Sequence, residues 1–145
     1  MTQPKVWTFF YGSYINKRAL AEVDFAPDQL EVARLGGFDI EIRPRANLVP
    51  STCGMVYGIL ASPTHAELDR LYAHARDVLG ETYLPQAVLV ETLDGRYVPA
   101  LCYICPEMAD RPPDPAYIDH IVEPARAYGF PEWYLDEVES FKNLD

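Results

Sequence analysis

Basic residues are scarce in this sequence: 12 lysines and arginines stand against 22 aspartates and glutamates, which leaves a net charge of −10. A nucleic-acid-binding protein normally carries a basic surface that displaces counterions from phosphates. An acidic surface repels polyanions and anionic membranes instead. We therefore expect neither nucleic acid nor a membrane as a partner. Arg43 and Arg45 are compatible with an isolated basic pocket, but a solvated strand end is the favoured interpretation.

Long apolar runs are also missing. None approaches the roughly 18 consecutive apolar residues that a membrane-spanning helix requires. After Met1 the chain runs directly into a short apolar strand, without the apolar segment of a secretory signal. We therefore expect a cytoplasmic protein, in which thiols stay reduced.

Cysteine and histidine number three each. Cys102 and Cys105 form a CxxC motif within residues 97–105, a segment with the composition of a strand. Redox CxxC motifs usually open a helix, and on a strand these two side chains point to opposite faces. No second Cys/His pair completes a tetrahedral metal site. We therefore predict no metal, and a thiol redox function is the weakest alternative. The histidines are interpreted as surface residues: His65, His74 and His120.

The overall amino-acid composition is that of an ordinary globular protein. Hydrophobic residues make up 49% of the chain and charged residues 23%, which argues against disorder. A chain of this length fits one domain around one core. We predict a single domain over residues 1–145.

Hydrophobic periodicity and turn residues predict the order of helices and strands. Strands are expected at residues 6–10, at 30–43 as two strands that meet at a bulge or tight bend at Gly36–Gly37, and at 53–60, 84–91 and 96–105. Helices are expected at residues 16–23, from 63 to Gly80, at 115–129 and at 132–141, with Pro124 starting or kinking a turn. Crossover helices do not separate the strands regularly, so the pattern predicts an α+β fold.

Glycines mark two further features of this pattern. Asp94–Gly95 indicates a hairpin between the last two predicted strands. Gly54 and Gly58 lie within an apolar strand, where glycine typically allows another part of the backbone to come close.

The segment Tyr11-Gly12-Ser13-Tyr14 follows the first predicted strand and precedes a helix. Glycine lets the backbone approach a ligand closely, and the amides around Ser13 and Tyr14 can point outward as donors. Such a loop suits a carboxylate or a developing oxyanion. On this pattern alone, an ordinary strand–helix turn with Ser13 as the helix N-cap is the favoured interpretation.

Several short segments succeed one another along the chain: residues 11–15, 54–60, 66–69, 112–117 and 127–134. In this order they resemble the γ-glutamylcyclotransferase and AIG2-like family, whose YGSN-type signature has Asn where this chain has Tyr14. The resemblance implies a small mixed β-barrel with flanking helices. It also implies release of 5-oxoproline from a γ-glutamyl amine or amino acid by attack of the substrate's own α-amine. That chemistry requires no cofactor.

The resemblance also implies roles for individual residues. The loop from Tyr11 to Tyr14, with Tyr83 and Tyr117, would bind a small γ-glutamyl substrate, although both tyrosines are equally compatible with core packing. The catalytic glutamate of the family usually closes an LDxxE motif, and here that position is Tyr72. A phenol with a pKa of about 10 is a poor base at neutral pH. Glu81 is the best replacement, with a solvated loop carboxylate as the alternative.

Two functions therefore remain open. One is a γ-glutamylcyclotransferase-like enzyme in which Glu81 shuttles the proton. The other is a catalytically inactive member that serves as a small-molecule binding or interaction module, which Tyr72 favours. Neither function identifies the leaving amine of the substrate or the oligomeric state of the protein.

Overall fold

Five strands close into a β-barrel in the computed structural model, which describes residues 3–143. Counted over those residues, the strands are β1 Thr8–Phe10, β2 Glu31–Ile42, β3 Ala46–Ala61, β4 Leu84–Thr92 and β5 Tyr97–Ile104. Their order around the barrel is β1-β3-β2-β4-β5. β1 pairs with β5 in parallel, and the other neighbouring strands are antiparallel. The barrel is thus closed and mixed, as the resemblance implied.

Four α-helices flank the barrel within the described residues: α1 Lys17–Ala21, α2 His65–Asp77, α3 Pro115–Tyr128 and α4 Glu132–Ser140. The start of α2 follows from its sequence, because Thr64 and Glu67 form a reciprocal capping box. Gly129, with a φ of 83°, ends α3 in the left-handed conformation that glycine favours. The predicted α+β fold is confirmed. Over residues 3–143, no helix is both long and apolar enough to cross a membrane.

The first helix differs from its prediction. Residues Ser13–Ile15 form a 3₁₀ turn, and α1 begins only at Lys17. Its N-cap is Asn16, whose side chain accepts a hydrogen bond from the Arg18 amide. The interpretation of Ser13 as the N-cap is therefore wrong.

The second and third strands also differ from their predictions. β2 is one strand rather than two, with an irregular register between Gly36 and Phe38. β3 begins at Ala46 instead of residue 53. Its first part contains Pro50, which disfavours strands, but this part pairs with β2 from Phe38 onward. Tertiary pairing outweighs local propensity here.

Gly54 and Gly58 lie where the backbone approaches closely, as expected. A Cβ at Gly54 would lie 2.2 Å from the Phe38 carbonyl oxygen, and one at Gly58 would lie 2.3 Å from the Phe10 carbonyl oxygen. Both distances are far shorter than atomic contact permits. The two glycines therefore let β3 lie close to β2 and to the end of β1.

Helix α3 continues through Pro124, so this proline does not start a turn, and the alternative that it kinks one stays a prediction. Proline has no amide proton, and the carbonyl of His120, four residues earlier, loses its helical donor. The Asn16 side chain replaces that donor, since its Nδ2 lies 3.2 Å from the His120 oxygen. Asn16 is only 6% exposed. One side chain thus caps α1 and completes the hydrogen bonding of α3.

The core consists of barrel residues and buried residues of all four α-helices, which belong to one cluster of buried side chains. Its largest fully buried members include Phe9, Ile59, Ile121, Tyr134 and Leu135. The sequence prediction that one domain extends over residues 1–145 stays a prediction.

Candidate functional site

The loop after β1 lies against the first residue of β3. A Cβ at Gly12 would lie 2.9 Å from the Ala46 Cβ and 3.7 Å from the Tyr117 hydroxyl oxygen. Glycine is therefore required by close packing with the neighbouring strand. The loop and Ala46 both line one pocket.

This pocket has a cavity volume of about 40 Å³ and is lined mainly by aromatic side chains. Its described lining consists of Phe10, Tyr11, Gly12, Ser13, Tyr14, Arg45, Ala46, Tyr72, Ala75, Leu79, Tyr83, Tyr103 and Tyr117. All six residues predicted to bind substrate are brought together here. That they bind a substrate stays a prediction. Among the described lining residues, Arg45 is the one that carries a formal charge at neutral pH.

Tyrosine hydroxyls tie the pocket walls to the backbone. The Tyr83 hydroxyl donates to the Ala46 carbonyl oxygen at 2.6 Å, and the Tyr11 hydroxyl donates to the Tyr103 carbonyl oxygen at 2.6 Å. Burial raises the pKa of both phenols above the ordinary value. At neutral pH these side chains are therefore protonated hydrogen-bond partners and not bases.

The hydroxyl oxygen of Tyr117 accepts a hydrogen bond from the start of β3. The Ala46 amide donates to it at 2.9 Å, and Ser13 lies close to it. Burial raises the pKa of Tyr117, while the Ala46 amide and Ser13 act in the opposite direction. The pocket thus contains a backbone donor that is bonded to an oxygen atom, with the loop at Ser13 beside it. A carbonyl oxygen or oxyanion is the kind of group that such donors stabilise.

Arg45 belongs to the site, and sequence reasoning missed it. It follows β2, is half-buried, and places its guanidinium carbon 4.8 Å from the centroid of the Tyr117 ring. It forms no salt bridge with any residue of 3–143. Arg43 bonds to Asp110 at 2.6 Å. For Arg45 the interpretation as a solvated strand end is therefore wrong, because this residue of the turn between β2 and β3 lines the pocket.

Tyr72, at the position of the family's glutamate, forms part of the aromatic wall. Its ring stacks on Tyr103 with 3.7 Å between centroids and 10° between planes. Burial raises the pKa of its hydroxyl well above the ordinary value. Tyr72 therefore cannot supply a general base at neutral pH, which strengthens the objection drawn from the sequence.

Glu81 is buried, with 6% of its side chain exposed. The alternative that it is a solvated loop carboxylate is wrong. Its Oε2 lies 3.9 Å from the Cys105 thiol and its Oε1 lies 3.7 Å from the Arg111 guanidinium. It is not one of the described residues that line the pocket. It lies close to that wall, because its charge contributes to the raised pKa of Tyr83.

The cysteine and histidine side chains are the other residues for which the sequence raised a chemical role. Burial raises the pKa of Cys102 to about 12 and also raises that of Cys105. All three cysteines are free thiols. Among the described residues, no three Cys, His, Asp or Glu side chains are grouped so that they could hold a metal ion. His65 and His120 are exposed as expected, but His74 is half-buried and its Nδ1 lies 3.3 Å from the Tyr14 hydroxyl.

Comparison of the sequence finds no matching protein-family model and no matching curated protein. Solved structures do match over nearly the whole chain. An uncharacterized protein from Homo sapiens is 20% identical with a TM-score of 0.81, covering 99% of this chain and 91% of its own. A structure described as a γ-glutamyl cyclotransferase is 21% identical with a TM-score of 0.77, covering 97% of this chain and 90% of its own.

A third match is an AIG2-like protein from Mus musculus. It is 16% identical with a TM-score of 0.60, covering 74% of this chain and 81% of its own. At these identities the matches show a shared fold. The chain therefore has the fold of the γ-glutamylcyclotransferase and AIG2-like proteins.

Proposed function

We propose that this protein is a γ-glutamylcyclotransferase-like enzyme that releases 5-oxoproline from a small γ-glutamyl amine or amino acid. The observation that carries the proposal is the hydrogen bond from the Ala46 amide to an oxygen atom inside a tyrosine-lined pocket, beside the loop at Ser13. The same fold occurs in a protein described as a γ-glutamyl cyclotransferase.

The glutamyl part of the substrate would occupy the pocket. Its γ-carbonyl oxygen would take the donor that now bonds to the Tyr117 hydroxyl, and that hydroxyl would then be free to bond to the substrate. The aromatic walls exclude water from the reacting atoms, which strengthens each hydrogen bond within the site.

The reaction needs no nucleophile from the protein. The substrate's α-amine attacks the γ-carbonyl carbon, a C–N bond forms to close the five-membered ring, and negative charge develops on the carbonyl oxygen. The bond to the leaving amine then breaks, and the proton lost by the attacking amine is transferred to the leaving amine. Holding the amine and the amide in attack geometry supplies an effective molarity on the order of 10⁵ M or more.

We assign the proton transfer to Glu81. As a carboxylate it would accept a proton from the attacking amine, and as the acid it would deliver that proton to the leaving amine. Its contacts with Arg111 at 3.7 Å and with the Cys105 thiol at 3.9 Å are longer than ordinary hydrogen bonds. Because Glu81 does not line the pocket, the proposal requires its side chain to rotate toward the substrate beside Tyr83.

The test measures 5-oxoproline after incubation with γ-glutamyl amino acids and amines. Glu81→Gln keeps the shape of the side chain and removes its basicity, so we expect kcat to fall about 100-fold or more while substrate binding is retained. Glu107→Gln, at an exposed position, is the matched control and keeps wild-type activity. Full activity in Glu81→Gln would overturn its catalytic assignment.

A second candidate is a non-catalytic small-molecule binding or interaction module. Tyr72 fills the position of the family's acid, and no Asp or Glu lies among the described residues that line the pocket. Thermal stabilisation by a γ-glutamyl compound, with no 5-oxoproline formed from any substrate of the panel, would select this candidate over the enzyme.

A further inference from the structure

Strand β4 has an open edge along most of its length. On one side β5 pairs with nearly the whole strand. On the other side β2 pairs with it only at its end, where Arg34 lies opposite Glu91 and Ala33 opposite Thr92. Among the residues that the structure describes, no strand pairs on that side with residues 85–89. We call this segment the β4 edge.

The register of the hairpin shows which backbone groups lie on the β4 edge. The Leu101 amide donates to the Trp7 carbonyl oxygen at 2.9 Å, so the backbone groups of Leu101 face β1 and not β4. Its partner on β4 is Ala87. Backbone groups alternate sides along a strand, and opposed residues of an antiparallel pair face either toward or away from each other together. Ala87 therefore faces away from β5, and so do Pro85 and Leu89.

The prolines of the hairpin agree with this assignment. Pro85 has no amide hydrogen, and neither does Pro99, which lies opposite Leu89. Both prolines occupy positions that face away from the β4–β5 ladder, where no ladder hydrogen bond is lost. The amides of the β4 edge are thus those of Ala87 and Leu89. Neither amide has a hydrogen-bond partner within residues 3–143, and both residues are exposed.

The β4 edge also lacks charge. Residues 84–90 contain no charged side chain, although the chain carries a net charge of −10. Leu84, Leu89 and Tyr97 on this hairpin are each more than half exposed. Natural proteins usually protect a long strand edge with charged residues or cover it with another element. A charged strand would find no opposite charge here, so the chemistry fits an uncharged partner strand.

We propose that the β4 edge pairs with the β4 edge of a second copy of this chain, antiparallel about a two-fold axis at Ala87. In this register Ala87 lies opposite Ala87 of the second copy, and Leu89 lies opposite Pro85. Four hydrogen bonds form. Two join the Ala87 residues, and each Leu89 amide donates to the Pro85 carbonyl oxygen of the other copy. Every amide of the edge thus gains an acceptor.

The match of this segment with itself identifies a second copy as the occupant. The two-fold register places each proline, which has no donor, opposite a residue whose amide needs only an acceptor. It brings together two segments without charge, where copies of an acidic protein repel each other least. Strand β4 of the second copy begins at Leu84, opposite Val90, and so ends before Glu91, where β2 pairs. The inference does not depend on the proposed enzymatic activity.

Sedimentation equilibrium of the full chain tests the proposal. We expect a dimer whose population grows between about 1 μM and 1 mM protein. Leu89→Pro removes one edge amide from each copy and leaves the ladder with β5 intact. The dissociation constant should rise about tenfold or more, since the symmetric contact loses the hydrogen bond twice. Ala87→Lys places two like charges opposite each other and should weaken the dimer as much. Val78→Lys, at an exposed apolar side chain that follows α2, keeps the dimer.

Amide hydrogen exchange identifies the contact within the dimer. The amides of Ala87 and Leu89 should exchange rapidly at low concentration and become protected as the dimer forms. The Val88 amide faces β5 and should be protected at every concentration. Circular dichroism establishes that each variant is folded, and Ala87→Lys, at an exposed side chain, decides the test if Leu89→Pro does not fold.

Three results would overturn the proposal. One is a monomer over the whole concentration range. Another is a dimer that keeps the same dissociation constant in the folded edge variants, or in which the Ala87 and Leu89 amides stay unprotected. The third is a monomer whose edge amides become protected only when an uncharged, strand-forming peptide is added, which would assign the β4 edge to a foreign strand.

Discussion

At the scale of single residues, Tyr117 connects the parts of the site. Its hydroxyl accepts a hydrogen bond from Ala46 at the start of β3, its ring lies under the Arg45 guanidinium, and it comes from α3 on the opposite side of the pocket. Ser13 lies close to the same hydroxyl. One side chain thus joins the loop, the barrel and the helical layer.

Removing the Tyr117 hydroxyl tests this role. Tyr117→Phe keeps the ring beneath Arg45 but leaves the buried Ala46 amide without its acceptor. We expect the free energy of unfolding to fall by about 1–2 kcal/mol, measured by urea denaturation. Tyr97→Phe removes a hydroxyl from an exposed tyrosine and should change stability by less than about 0.5 kcal/mol. Equal effects of the two substitutions would contradict this account.

At the scale of secondary-structure elements, α1 and α3 depend on each other through Asn16. Its Oδ1 caps α1 and its Nδ2 supplies the donor that Pro124 lacks. Two helices that are distant in sequence are thereby held together by one buried amide.

A double-mutant cycle tests this coupling. Asn16→Ala should destabilise the protein by about 1–2 kcal/mol, because the cap and the donor to the His120 carbonyl are both lost. In a Pro124→Ala background the amide of residue 124 can bond to His120, so the same Asn16→Ala substitution should cost less. Thermal and urea unfolding of the four proteins measure the difference. An additive cycle would show that Asn16 does not compensate for Pro124.

The packing of β1 against β3 gives a second prediction at this scale. Gly58→Ala would place a Cβ 2.3 Å from the Phe10 carbonyl oxygen, in a contact that only a backbone shift can relieve. We expect a loss of about 2–3 kcal/mol or more, together with a displaced Tyr11 loop. The matched strand glycine is Gly36, where the added Cβ would lie 3.9 Å from the Met55 methyl group. Unfolding of Gly36→Ala should stay within about 1 kcal/mol of the wild type, and similar losses in both variants would refute the explanation.

At the scale of the whole molecule, the tyrosines make stability depend on alkaline pH. Burial raises the pKa of eight of them: Tyr11, Tyr14, Tyr72, Tyr83, Tyr103, Tyr117, Tyr128 and Tyr134. In the unfolded chain these groups ionise near pH 10. The unfolded state therefore releases protons that the folded state retains.

The sign of the effect follows from this difference. The contribution of the buried, neutral phenols to the free energy of unfolding is fully present below about pH 10. It is lost as the pH rises above that value, because these tyrosines have higher pKa values in the folded state than in the unfolded state. We expect the free energy of unfolding in urea to decline between about pH 9 and pH 11. Tyrosinate absorbance should rise together with unfolding. Full ionisation near pH 10 while the protein remains folded would contradict the burial of these phenols.

A structural feature could be predicted from the sequence where the residues that determine it are neighbours in the chain. Helix α2 and the hairpin between β4 and β5 were predicted from neighbouring residues, since helical periodicity, the stop at Gly80 and an Asp–Gly turn act within a few positions. The start of β3 was missed because pairing with β2, and not its own composition, makes residues from Ala46 onward a strand. The cytoplasmic location stays a prediction.

The sequence by itself determined the kinds of elements, their order and the loop at Tyr11–Tyr14, since hydrophobic period, caps and glycines act locally along the chain. Only the tertiary structure decided that Arg45 faces Tyr117 and that Glu81 lies against Cys105 and Arg111. The physical reason is that these contacts join segments far apart in sequence, and their positions follow from barrel closure and the packing of α3 on it.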